Sequence, residues 1–101
     1  MRFYSGGALG KQGRLNLSEY IDLAGRSVMI YTTEKDFSLL YVLPYDGQVN
    51  VPKCAIRKVD KKGRIVVPSS LRRGAKYAYI SNDVKAGVVV KLVWWDEDEP
   101  G

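Results

Sequence analysis

The chain has 101 residues, 46% of them hydrophobic, which predicts one compact domain with its own core and argues against general disorder. A net charge of +5 comes with no histidine and one cysteine, Cys54, so Ser-His and Cys-His catalysis and an internal disulfide are excluded. No stretch approaches the roughly 18 uninterrupted apolar residues that span a bilayer, and nothing pairs carboxylates or lysines for chemistry, so an enzyme, a metal and a cofactor are not expected.

In chain order, MRFYSGGALGKQG lacks the apolar centre of a secretion signal. Together with the lone Cys54, expected as a buried structural thiol, this suits a reducing cytoplasm. The segment 9–43 reads as strand, turn, strand, short helical turn, strand, turn, strand. PYDGQVNVP (44–52) has a turn-forming Asp-Gly and a Pro at each end, and reads as a link. AIRKV (55–59) is strand-like. Asp60-Lys61-Lys62-Gly63 fits a type I turn, with Asp first and Gly fourth. RIVV (64–67) is a second strand, which Pro68 ends because it lacks an amide donor. SSLRRG predicts one or two helical turns, with Ser as the cap, Leu71 inward and Gly74 as the stop. YAYIS (77–81) and VVVKLVWW (88–95) form a further pair, the latter apolar enough to be covered on both sides.

The two halves repeat at a constant offset. Residues 9–43 lie over 59–93 without a gap, and Lys11, Gly13, Arg14, Ile30 and Lys35 recur as Lys61, Gly63, Arg64, Ile80 and Lys85. Apolar character follows at Leu9/Val59, Leu15/Ile65, Leu17/Val67, Ile21/Leu71, Leu39/Val89, Leu40/Val90, Val42/Leu92 and Leu43/Val93. Four short strands bury too little alone, so the expectation is a single mostly β domain over 1–95. It comprises a repeat at about 3–45 and another at about 53–95, sharing one core about a pseudo-two-fold axis, with an acidic tail at 96–101.

Charge breaks the symmetry. Residues 1–50 carry five Lys/Arg against five Asp/Glu, whereas residues 53–76 carry nine against one. An excess so concentrated points to a polyanionic partner.

RKVDKKGRIVVPSSLRR at 57–73 resembles the N-terminal motif of the AbrB/SpoVT/MazE/MraZ swapped-hairpin superfamily. The second repeat is closest to the AbrB and SpoVT regulators. KQGRLNL and YIDLAG in the first are similar to MraZ, which also has two copies. The resemblance implies a swapped-hairpin β-barrel with a short helix in each repeat and a basic face that contacts double-stranded DNA. The implied contacts are Arg57, Lys58, Arg64, Arg72 and Arg73. Lys61 and Lys62 join them by charge and place, and Lys11 and Arg14 are weaker candidates. The first repeat has Gly10 for the turn Asp, Ser18 for the Pro, and Asp22-Leu23 for the Arg-Arg pair. Gly7 and Ala8 stand where Arg57 and Lys58 stand, so the first repeat is expected mainly to complete the barrel.

With the basic excess, the resemblance implies a double-stranded DNA-binding transcription regulator, cytoplasmic and nucleoid-associated, expected to gain affinity as a homo-oligomer. Two other readings stay open: an antitoxin of MazE or VapB type with a toxin partner, and an interaction module that has lost DNA binding. Arg64 has a structural alternative as a clamp on Asp60, and Asp60, Gly13 and Gly63 are read as turn geometry. Trp94 and Trp95 are read as core or oligomer contacts.

Overall fold

The computed structural model describes residues 1–47 and 54–95. The middle and end of the link, and the acidic tail at 96–101, lie outside the described residues. Eight strands and one short helix follow in order: β1 Tyr4–Ala8, β2 Arg14–Asn16, β3 Ser27–Thr32, β4 Leu39–Pro44, β5 Ala55–Lys58, β6 Arg64–Val66, α1 Ser69–Arg72, β7 Tyr77–Ser81 and β8 Val88–Val93. All pairings are antiparallel. Six strands form one sheet in the order β1-β7-β8-β4-β3-β5, and β2 pairs with β6 as a separate ribbon.

Alternation decides which side of each strand is buried. Val28 and Ile30 of β3, Leu40 and Val42 of β4, Ala78 and Ile80 of β7, and Val88, Val90 and Leu92 of β8 enter the core. Leu15 and Ile65 of the ribbon join the same core, as do Leu9, Val59, Leu17 and Val67 at the strand ends. Strand β8 is central, and Lys91 is its one exposed residue.

Exchanging each residue with its counterpart 50 positions away turns the six-strand order into its own reverse. Leu15 faces Ile65 and Leu40 faces Val90, so these counterpart pairs lie on the pseudo-two-fold axis. Loop bonds repeat too. Leu9 N–H donates to Lys76 O at 3.0 Å and Val59 N–H to Arg26 O at 2.9 Å. Leu17 N–H donates to Gly63 O at 2.8 Å and Val67 N–H to Gly13 O at 2.9 Å. One irregularity separates the outer strands: β1 carries a bulge between Ser5 and Gly7, where β5 has none. A Cβ on Gly6 would lie 2.8 Å from Ile80 Cδ1, so that bulge requires glycine.

Three expectations need correction. The sheet does not close into a barrel, because β1 and β5 remain its edges and do not pair. The three-residue strands β2 and β6 pair only with each other, so they cover the core without joining those edges. A helix forms in the second repeat alone. In the first, Tyr20 and Ile21 both donate to Leu17 O, at 2.9 and 3.0 Å, and the turn ends there. Leu23, at the counterpart of exposed Arg73, drops into the core and pulls the chain out of helical geometry. Finally, α1 has Pro68 as its N-cap with no side-chain cap bond, and it ends on Arg73 in the left-handed conformation (φ 54°), one residue before Gly74.

Candidate nucleic-acid interface

The turn between β5 and β6 is held by Asp60. Its carbonyl accepts Gly63 N–H at 3.1 Å, closing the type I turn, and Gly63 takes φ 83°. Its Oδ1 accepts the amides of Lys62 (2.9 Å) and Arg64 (2.8 Å), and its Oδ2 accepts Arg64 Nε–H at 2.8 Å. The Arg64 amide bond first, with the Arg64 side chain and the Lys62 amide adding to it, holds the Asp60 carboxyl below the usual carboxylate range despite some desolvation. Lys61 and Lys62 are left exposed at the tip. The Arg64 clamp on Asp60 therefore exists, and because it uses Nε, the outer edge of the guanidinium fork stays open.

The ribbon directs the next set. Leu15 and Ile65 are paired and buried, so their neighbours Arg14, Asn16, Arg64 and Val66 face outward. Arg14 Nη2 donates to Gln12 Oε1 at 3.3 Å. Beside the ribbon, edge strand β5 exposes Arg57 and Lys58, and Arg57 Nη1 donates to the Ile56 carbonyl at 2.8 Å. Arg14, Arg57, Lys58 and Arg64 line one surface depression of about 220 Å³. Asp60 is the one carboxylate there, and its two oxygens are already engaged by the turn.

The Arg72-Arg73 pair lies elsewhere. Arg72 reaches across to the first repeat's turn, where Nη1 donates to Lys11 O at 3.0 Å. Its side chain runs over Gly13, at which a Cβ would sit 2.7 Å from Nη1. Arg73 sets its guanidinium over the Phe37 ring at 5.3 Å, and its carbonyl accepts the Trp94 indole N–H at 2.8 Å. Neither tryptophan is core: Trp94 and Trp95 are 37% and 44% exposed. Lys61 and Lys62 border a different hollow, shared with Asp22 and Ser18 of the first repeat.

Two cations escaped the sequence reading. Lys76 and its counterpart Arg26 are both exposed, and each accepts a backbone bond from the other repeat. Their signal was retention of positive charge at both copies of one position, 26 and 76. Among the described residues, no three His, Cys, Asp or Glu side chains gather where they could hold a metal ion. No helix there is long and apolar enough to cross a membrane.

Comparison with protein-family models, with curated proteins and with solved structures finds no match to this chain.

Proposed function

We propose that the chain is a double-stranded DNA-binding transcription regulator of the AbrB/MraZ-like swapped-hairpin type, its two repeats acting as a built-in dimer. The observation that carries this is the convergence of Arg14, Arg57, Lys58 and Arg64 around the outward face of the β2–β6 ribbon. Guanidinium groups on a short ribbon suit bidentate contact with backbone phosphates and can reach groove edges. Lys61 and Lys62 extend the basic line past one end of the ribbon. The strand exchange supports the swapped-hairpin reading, since β1 pairs with β7 and β5 with β3 across the repeats. Self-association of copies through exposed Trp94, Trp95 and Phe37 would add avidity over spaced sites.

The test is duplex retention over a salt series, comparing wild type with Arg57→Ala/Lys58→Ala. Wild type should bind with affinity that falls steeply as salt rises, and the double variant should bind weakly with an unchanged thermal melt. Equal binding by the two proteins would refute the assignment of this face.

A further inference from the structure

On the β1 side of the ribbon, opposite the depression beside β5, lies a second basic hollow of about 470 Å³. Its lining is Ala8, Gly10, Lys11, Arg72, Gly74, Ala75 and Lys76: three cations on a surface of otherwise small residues, without a carboxylate. Neither repeat builds it alone. Lys11 comes from the first repeat, while Arg72 and Lys76 come from the second. We infer that this composite notch takes a backbone phosphate of the DNA duplex, giving one chain a grip on each side of its pseudo-two-fold axis. The inference rests on the DNA-binding reading above.

The geometry favours an anion in three ways. The bond from Arg72 Nη1 to Lys11 O fixes the guanidinium before any ligand arrives, so little rotamer freedom is lost on binding. Lys76 is pinned on both sides of its backbone, its N–H donating to Val93 O at 2.8 Å and its carbonyl accepting Leu9 N–H at 3.0 Å. Its ammonium therefore stands on a rigid base at the rim. Small residues on the floor, among them Gly10 at φ 66° and Gly74 at φ 79°, let a bulky oxyanion approach the backbone. The pseudo-symmetric hollow beside Lys61 and Lys62 contains Asp22 where this one has Arg72, so the two are not equivalent.

The first repeat lost the charges that match Arg57 and Lys58, and the notch restores charge on that side from the other repeat. That role falls on Lys76, which lies beyond the motif.

The experiment compares duplex binding by wild type, Lys76→Gln and Lys11→Gln over a salt series, with Lys85→Gln, exposed in the loop before β8, as the control for net charge. Each notch variant should bind several-fold more weakly near physiological salt. Each should also lower the slope of log affinity against log salt by about 0.9, the value for one phosphate contact. Lys85→Gln should match wild type. If both notch variants bind like wild type while Arg57→Ala/Lys58→Ala does not, the notch is overturned and the DNA reading stands. If wild type fails to bind duplex even at low salt, both fall. If inorganic phosphate shifts the Lys76 and Gly74 amide resonances while duplex binding ignores Lys76, the notch is a small-anion site and the inference is overturned.

Discussion

Arg72 Nη1 donates to the Lys11 carbonyl at 3.0 Å, joining residues 61 positions apart across the two repeats. An arginine that reads in sequence as a free DNA contact is thus also a fastener between the halves. Its Nε is buried without a partner, which ties its energetics to local packing.

Arg72→Ala should therefore lower stability by about 1 kcal/mol, from a lost hydrogen bond and lost packing over Gly13. Urea unfolding measures it. A melt identical to wild type would show that the Lys11 contact contributes nothing.

Gly13→Ala should cost more, about 1–3 kcal/mol, because the position needs φ 73° and a Cβ would sit 2.7 Å from Arg72 Nη1 and 2.9 Å from Val67 O. Arg72 cannot swing aside without losing Lys11. The same unfolding assay, run on Gly10→Ala where a Cβ meets nothing within 4 Å, separates backbone strain from collision.

At Arg73 the backbone and the side chain pull in opposite directions. Its left-handed φ of 54° favours glycine, whereas its guanidinium rests on Phe37. Arg73→Gly should be near neutral in stability, and Arg73→Ala should be destabilised, since alanine keeps the strain and loses the ring contact. Equal stabilities for the two would rule out backbone strain as the difference.

Asp60 makes a pH prediction. Its folded carboxyl titrates below the unfolded value, so the stability it contributes is present above the ordinary aspartate range and is lost as pH falls through the folded pKa. Acid unfolding of Asp60→Asn should lack this component, leaving a shallower decline below about pH 4. Asp36, held low chiefly by its bonds to Ser38, would still contribute its own share.

Leu15 faces Ile65 across the pseudo-two-fold axis, and the two are the buried side chains by which the ribbon's paired residues seat on the core, so truncating Leu15 empties half of that seat. Leu15→Ala should cost about 2–5 kcal/mol. It should also weaken duplex binding in the folded protein, because Arg14 and Arg64 would lose their fixed spacing. Binding measured well below the melting midpoint tests the second effect.

Much of this architecture was legible where local chemistry suffices. YAYIS coincides with β7, and the first six residues of VVVKLVWW form the largely buried central strand that its composition implied, while Trp94 and Trp95 fall outside the strand and are exposed. The 60–63 turn forms with the predicted Asp and Gly roles, because both act within four residues. What escaped depends on distant partners. No local pattern says that Leu23 will enter the core and cancel a helical turn, or that a bulge will open at Gly6 against Ile80. For the site, Arg57, Lys58 and Arg64 fall together as a hairpin would place them. Arg72 and Arg73 part company because one meets Lys11 and the other Phe37, both in the opposite repeat.

Among the described residues, the only strand that β1 pairs with lies in the second repeat, and the only strand that β5 pairs with lies in the first. Separated into two polypeptides within 48–53, the halves would each carry two orphan strands, β1 and β2 in one and β5 and β6 in the other, and half of a shared core. Folding would then become a second-order reaction, with a midpoint that rises with protein concentration. The covalent link converts that encounter into loop closure, replacing a search through solution with the high local concentration of a tether.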